Sequence, residues 1–337
     1  MCSQLKKAPM LHNFETLEAN EPALIAEMTD ILRRKMERDY AKGTTHRDAH
    51  PKSLGVLRGT FTIEPDLPLG LQVGIFKKSM QHACWVRVSN ASGKPQSDAV
   101  PDFRGFAIKL MALDANNSGA EEPMGQDFVL MSLATMPLGT IRMFRDAVYF
   151  SIERSPLLLL LKLVLTGKSS VLKALKSGRT NPTSPLDLRY WSTTPYLWGK
   201  TEAVKYSILP TSSRRSVLPA KLTDNYLSLA MQAHLEASEA SFDFCVQLRR
   251  ADMPIENAGQ AWDETDSPFV KVATLRLAKQ HFLGNTEREA MSEILSFSPG
   301  HAWPDHAPLG GINRARVAIY TALSKFRHER DGRHNIA

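Results

Sequence analysis

Cysteine is scarce in this chain, with only Cys2, Cys84 and Cys245 among 337 residues. The three lie far apart, their number is odd, and no Cys-x-x-Cys pair occurs. This usage argues against a disulfide framework and against a zinc site built from cysteines. It fits a reducing compartment, so we expect a cytoplasmic protein.

Long apolar runs are also missing. The longest, Leu157 to Leu165, is interrupted by Lys162 and is far shorter than the roughly 20 apolar residues that cross a bilayer. The opening residues, MCSQLKKAPMLHNFE, contain no apolar segment of the kind that directs secretion. No internal repeat or low-complexity tract occurs, which excludes solenoid and collagen-like architectures.

The charge balance favours anionic partners. Lys and Arg number 42 against 35 Asp and Glu, which gives a formal net charge of +7 and a pI near 9.3. Nucleic acid, anionic lipid and carboxylate ligands are the classes that such a charge attracts. No helix-turn-helix, zinc-finger or RNA-binding aromatic motif occurs, so we do not expect nucleic-acid binding.

Hydrophobic patterning indicates an α+β fold. A helix is predicted over 20–40, and β-rich runs separated by Gly, Pro, Asn and Asp follow over 54–132. Further on, helical patterns lie at 141–176, 222–237, 291–295 and 312–328, and β-rich runs at 242–250 and 270–278. Residues 181–219 are rich in Pro and Ser. We predict one domain, 1–337, with a helical arm at 1–44 and an antiparallel barrel plus helices at 45–337.

A zinc site is not expected at the start of the barrel. His46 and His50 are spaced four apart, as on zinc-binding helices. However, Arg47 stands where a zinc protease needs Glu, and Pro51 ends any helix at this point.

Three short motifs occur in order along the β-rich region. Arg47-Asp48-Ala49-His50-Pro51-Lys52 precedes it, Val86-Arg87-Val88-Ser89 lies in one run, and Arg104-Gly105-Phe106-Ala107-Ile108-Lys109 lies in the next. In this order and spacing they resemble the haem-binding barrel of catalases. The resemblance covers roughly 46–327 and is closer to the shorter catalase-related haem proteins, because the C-terminal domain of long catalases has no counterpart here.

The resemblance implies a catalase-like antiparallel β-barrel enclosing haem b, with iron as the metal. It implies that His50 takes a proton from the near oxygen of a peroxide and returns it to the far one. Ser89 would hold the imidazole of His50. Arg47 and Arg87 would contact the haem propionates, since the planar guanidinium suits carboxylates.

For the iron ligand, the resemblance implies a tyrosinate. The segment Tyr190-Trp191-Ser192-Thr193-Thr194-Pro195-Tyr196-Leu197-Trp198-Gly199 is similar to the proximal segment of the family. Aligning Gly199 with the family's glycine places the ligand on Tyr190, and Tyr196 is the alternative. The family usually has Arg four residues before this tyrosine, whereas Leu186 holds that position here.

The family also has a distal Asn that contacts peroxide, and it has no clean counterpart in this sequence. Asn117 and Gln126 are the candidates, and we predict Gln126 as the catalytic amide. Loss of this amide would weaken the handling of hydrogen peroxide while leaving haem binding intact.

These features predict a haem-dependent peroxidase or weak catalase that consumes hydrogen peroxide or organic hydroperoxides. One alternative is rearrangement or cleavage of a fatty-acid hydroperoxide, and another is a haem- or lipid-binding barrel without turnover. A homo-oligomer is expected. The basic, leucine-rich stretch from Pro156 to Arg215 leaves a peripheral membrane contact open, although the pattern favours a core helix with a solvated basic face.

Overall fold

The β-rich runs form one antiparallel sheet. The computed structural model describes residues 12–111 and 125–332. The strands are β1 Ser53–Ile63, β2 Gln81–Asn90, β3 Arg104–Leu110, β4 Gln126–Met131, β5 Tyr190–Trp191, β6 Tyr196–Trp198, β7 Glu202–Pro210, β8 Ala240–Leu248 and β9 Val270–Leu277. Their order is β5-β4-β3-β2-β1-β9-β8-β7-β6, and β5 also pairs with β7. Eight strands therefore close into a barrel, with β6 added beside β7, and the predicted α+β barrel is confirmed.

Helices pack around this barrel. They are α1 Glu21–Asp39, α2 Ile141–Glu153, α3 Pro156–Leu165, α4 Ser169–Ser177, α5 Tyr226–Ala237, α6 Thr286–Ile294 and α7 Gly311–Asp331. Each predicted helical region is helical, and the region 141–176 divides into α2, α3 and α4. No helix in 12–111 or 125–332 is both long enough and apolar enough to cross a membrane.

Aromatic side chains fill the interior of the barrel. Phe61 stacks on Phe128 with ring centroids 5.7 Å apart, and Phe244 lies 4.6 Å from the Phe128 ring. Tyr196 and Tyr206 extend the same buried cluster. Because close-packed side chains occupy the interior, a large ligand has to bind outside the barrel rather than within it.

The opposite face of strands β2, β3 and β4 lies under helices. Side chains alternate between the two faces of a strand, so Val86 and Val88 enter the core while Arg87 and Ser89 point to the outer face. The helices α1 and α7 pack on each other through apolar residues spaced three or four apart, which are Met28, Leu32 and Met36 on α1 and Ala315, Ile319 and Leu323 on α7.

The Pro- and Ser-rich region contains barrel strands that are not among the predicted β-rich runs. Strand β7 is a central strand, paired with β5, β6 and β8. Val204, Tyr206 and Ile208 alternate with Lys205 and Ser207 along this strand, yet residues 203–208 are all buried, so both of its faces are covered. Residues 190–199, which in sequence are similar to the family's proximal segment, form β5, which closes the barrel by pairing with β4 and β7, and β6, which pairs with β7.

Candidate functional site

A cavity of about 550 Å³ lies between the outer face of the barrel and the helices. This volume is in the range of protein pockets that hold a cofactor or drug-sized ligand. Strands β2, β3 and β4 supply one wall, and α1, α2 and α7 supply others. The residues that line it include Arg47, His50, Arg87, Ser89, Gly105, Val129, Met131, Phe144, Arg179, Arg316, Tyr320 and Arg327.

His50 is held against the barrel wall by β2 and β3. Its Nδ1 lies 2.9 Å from Ser89 Oγ, which leaves Nε2 as the nitrogen that can meet a ligand. The register pairs Ser89 with Gly105, so both residues face the imidazole. A Cβ on Gly105 would lie 2.6 Å from His50 Nδ1, so the ring fits because this strand position has no side chain. The predicted contact between His50 and Ser89 is present.

The backbone of His50 adopts a left-handed conformation, with φ of 56°. Residues other than glycine rarely adopt it, and they keep it only when surrounding contacts enforce it. One such contact is the hydrogen bond that Arg87 Nη2 donates to His50 O at 2.9 Å. Burial, reinforced by Arg87, Arg316 and Arg47, lowers the pKa of His50 to about 3. The imidazole is therefore neutral near pH 7 and can accept a proton.

Arginines dominate the charge of the cavity. Five arginines line it against two carboxylates, those of Asp48 and Asp102. Burial lowers the pKa of Arg87 to about 10, so this side chain is still charged at neutral pH. The cavity therefore favours a ligand that carries negative charge.

Arg47 and Arg327 belong to a charged group at the edge of the cavity. Arg47 Nη2 donates to Ser292 O at 2.6 Å and to Leu295 O, while its Nε is buried with no acceptor in the described parts of the chain. Arg327 Nη1 lies 3.7 Å from Glu293 Oε2. Burial alone would raise the pKa of Glu293, but His46, Arg47 and Arg327 lower it to about 2.

Helix α7 brings a tyrosine to this cavity. Tyr320 lines it, and Arg316, one helical turn earlier, lies with its guanidinium carbon 5.6 Å from the centre of the Tyr320 ring. Burial alone would lower the pKa of Arg316, but the tyrosines Tyr320 and Tyr196 raise it.

The structure does not bring Tyr190 to the cavity. Tyr190 is fully buried in the barrel core, and its hydroxyl donates to Pro185 O at 2.8 Å. Burial raises the pKa of Tyr190 above its ordinary range, so no tyrosinate is favoured there. The alternative, Tyr196, is also a core residue and does not line the cavity. Tyr190, which the resemblance suggests as iron ligand, therefore does not line the cavity that holds His50.

Gln126 is also away from the cavity. It is fully buried, its Oε1 accepts from Trp303 N at 2.9 Å, and its Nε2 donates to Asp127 O at 3.1 Å. The amide therefore holds the segment around Trp303 and is not available to a peroxide. Its strand presents Val129 and Met131 to the cavity. The other candidate, Asn117, lies outside the described residues.

Tyr320, Arg316 and Arg327 are the site residues that sequence reasoning missed. The signal was present, because Arg316 precedes Tyr320 by four residues, the spacing that the family shows before its tyrosine. The alignment on Gly199 instead selects Tyr190, which does not line the cavity. Arg47 and Arg87, which the sequence does predict, line the cavity together with His50 and Ser89.

This donor set fits a haem. The arginine excess and the buried Nε of Arg47 suit propionates, and Tyr320 offers an oxygen to iron. Across 12–111 and 125–332, no group of three or more His, Cys, Asp or Glu residues could hold a metal ion.

The fold is similar to that of solved catalases. A fungal catalase is 17% identical with a TM-score of 0.67, over 87% of this chain and 61% of that one. Catalase A from Saccharomyces cerevisiae is 16% identical with a TM-score of 0.68, over 87% of this chain and 63% of that one. A bacterial catalase is 16% identical with a TM-score of 0.65, over 100% of this chain and 66% of that one.

This chain thus spans 61–66% of the length of these three catalases, which is less than two thirds. No family model matches the sequence. No curated protein matches it by sequence either. At such low identity the likeness shows the fold, which is a catalase-like α+β barrel.

Proposed function

We propose that this chain is a haem-dependent enzyme that acts on peroxides. The observation that carries the proposal is one cavity containing a buried, neutral His50 held by Ser89 and an Arg316–Tyr320 pair. Tyr320 would hold the iron, and Arg316 would stabilise its phenolate. Arg47 and Arg87 would bind the propionates. A homo-oligomeric state and a cytoplasmic location remain predictions.

When bound, haem iron supplies the redox chemistry for heterolytic cleavage of a peroxide O–O bond. The chain supplies the proton transfer. His50 Nε2 would take the proton from the near oxygen of the peroxide and return it to the oxygen that leaves. Ser89 would keep the ring in place during both transfers, because it engages the opposite nitrogen.

A specific observation favours a second candidate, the rearrangement or cleavage of a fatty-acid hydroperoxide. Strand β4 lines the cavity with Val129 and Met131, and Phe144 of α2 adds a further apolar surface. The amide of Gln126 is directed elsewhere. An apolar wall binds an alkyl chain better than it orients the small, polar hydrogen peroxide.

The proposal is tested by Tyr320→Phe in the full-length chain, supplied with haem. We expect wild type to show the ferric spectrum of a tyrosinate-ligated haem, and Tyr320→Phe to lose the haem or change that spectrum. Tyr190→Phe is the matched control and should retain the wild-type spectrum, since Tyr190 lies in the barrel core. The reverse result would return the ligand to Tyr190, and absence of haem in wild type would remove the proposal.

The same preparations separate the two candidate functions. Consumption of hydrogen peroxide with oxidation of an added donor supports the peroxidase. Faster consumption of linoleic-acid hydroperoxide without donor oxidation supports rearrangement or cleavage. Wild-type protein that binds haem but consumes neither peroxide would leave a haem-binding barrel without turnover.

A further inference from the structure

Helix α3 exposes an unusual amount of apolar surface. Its sequence is PLLLLLKLVL, and only Leu159 and Leu163 are buried. Six large apolar side chains of this helix are exposed, namely Leu157, Leu158, Leu160, Leu161, Val164 and Leu165. A contiguous patch of this kind on a protein surface marks a binding site for a protein or a membrane. The structure therefore contradicts the prediction of a core helix.

The geometry of α3 directs its apolar side chains outward. Leu159 and Leu163 are four residues apart and point to the protein, so Leu157, Leu161 and Leu165 lie about 200° away on the opposite face. The exposed fraction is 73% for Leu157, 53% for Leu161 and 76% for Leu165. With ten residues, α3 can lie in a membrane surface but cannot span it.

All charged residues in the segment around α3 are basic. From Arg154 to Leu186 there is no Asp or Glu, and there are six Lys or Arg residues. Lys162 bonds to Asp146 of α2 at 2.6 Å, but Lys168, Lys173 and Lys176 are exposed on or beside α4. Helix α4 has no fully buried residue, so it too lies at the surface.

We propose that α3 and α4 form a docking surface for an anionic phospholipid membrane. We call it the α3–α4 patch, and define it by the six exposed apolar residues of α3 together with Lys168, Lys173 and Lys176. Insertion of the apolar face among acyl chains removes that face from water, and the lysines attract lipid phosphates. A second copy of this chain is a poorer occupant, since a two-fold contact would bring two basic segments together.

Elements next to the patch reach the cavity of the candidate site. Phe144, a residue of α2, lines the cavity, and α2 packs against α3. Arg179, two residues beyond α4, lines it as well. Under this proposal a docked membrane would bring lipid-derived ligands close to the cavity.

The test is co-sedimentation of the full-length chain with vesicles of phosphatidylcholine alone or with 30% phosphatidylglycerol. We expect wild type to bind the anionic vesicles. The triple variant Leu157→Glu, Leu161→Glu, Leu165→Glu should bind at least tenfold more weakly. Lys168→Gln, Lys173→Gln, Lys176→Gln should weaken binding to anionic vesicles by on the order of 100-fold, and high salt should do the same.

The matched control carries Leu69→Glu and Val217→Glu, at two exposed apolar positions outside the patch, and should bind like wild type. The lysine variants change no apolar contact, so they test the proposal even where the glutamate variant misfolds. Three outcomes overturn the proposal: no vesicle binding by wild type, equal binding by the patch variants, or an oligomer that the glutamate variant dissociates while wild type ignores vesicles. The assay needs neither haem nor peroxide, so its result is independent of the proposed activity.

Discussion

Gly105 shows how one missing side chain can position a reactive one. Its Cα lies where any Cβ would meet His50 Nδ1 at 2.6 Å and Ser89 Oγ at 2.8 Å. A larger residue would therefore displace the imidazole from Ser89. The sequence shows a glycine in a strand, but the reason for it depends on a histidine 55 positions earlier in the chain.

We expect Gly105→Ala to lower peroxide consumption by at least tenfold and to destabilise the fold by about 1–3 kcal/mol, because it overpacks a closed site. Haem retention should change little, since Tyr320 is untouched. Rates and urea denaturation measure both effects. Gly70→Ala is the control, because a Cβ at Gly70 meets no atom within 4 Å. Wild-type rates in Gly105→Ala would show that His50 is not positioned this way.

At the scale of single residues, the sequence motifs identify four residues of the cavity wall. Arg47, His50, Arg87 and Ser89 lie within short motifs, and neighbouring strands bring them together. Tyr320 was missed although Arg316 lies one helical turn before it, because the alignment on Gly199 selected Tyr190. Tyr190 was chosen from local similarity, and only the barrel pairing shows that it faces the core.

At the scale of elements, the start of α7 is fixed to α1 through one arginine. Arg314 contacts Glu15 at 2.5 Å, Glu21 at 2.6 Å and Glu256 at 3.0 Å, and its side chain is 9% exposed. This cluster orients the helix that carries Arg316 and Tyr320. Its carboxylates come from two segments that are remote from Arg314 in the chain, so no local sequence pattern predicts it.

Arg314→Met should lower the free energy of unfolding by roughly 3–5 kcal/mol, because it leaves several carboxylates without their cation. Arg33→Met on α1 is the control. Arg33 is 48% exposed beside Asp30, and loss of such a surface pair costs about 1 kcal/mol or less. Denaturation in urea measures the free energy of unfolding of both variants. Equal losses in the two variants would show that the Arg314 cluster does not fix α7.

The positions of helices and strands along the chain were easier to predict than the burial or exposure of each one in the fold. The bounds of α1 and α7 match the spacing of their apolar residues closely, since each helix buries one face. The burial of β7 on both faces and the exposure of α3 contradict the usual relation between hydrophobicity and position. The pattern of apolar residues alone cannot distinguish an apolar helix that is buried in the core from one that is exposed at the surface.

For the molecule as a whole, buried histidines govern the response to acid. Burial lowers the pKa of both His50 and His306 to about 3. Once unfolded, these histidines bind protons below their ordinary pKa of 6.5, whereas in the fold they stay neutral. Stability is therefore lost as pH falls from about 6.5 towards 3. Asp48, whose pKa burial raises to about 6, acts in the opposite direction between about 6 and 3.8.

We expect that in His306→Gln the free energy of unfolding decreases less steeply as the pH is lowered. The slope should fall by about 1.4 kcal/mol per pH unit between pH 6 and 4, because one titrating difference is removed. Urea denaturation of the haem-free chain at several pH values measures it. His281→Gln, at a 66% exposed side chain, should keep the wild-type slope. A wild-type slope in His306→Gln would mean that His306 is protonated in the fold.

The barrel itself was the most predictable feature of the molecule. Its strands on both sides of the Pro- and Ser-rich region are apolar runs bounded by Gly, Pro, Asn and Asp, and the fold follows from pairing them in antiparallel order. The location of the cavity was not predictable, because it depends on how tightly aromatic residues fill the interior.

The residues that line the cavity come from segments that are synthesised at very different times. His50 precedes Tyr320 by 270 residues. At a synthesis rate of about 5–20 residues per second, the histidine emerges on the order of ten to fifty seconds before the tyrosine. During that interval the arginine-lined face of the nascent barrel has no α7 over it. A cofactor that needs both walls would therefore be held only after α7 has been made.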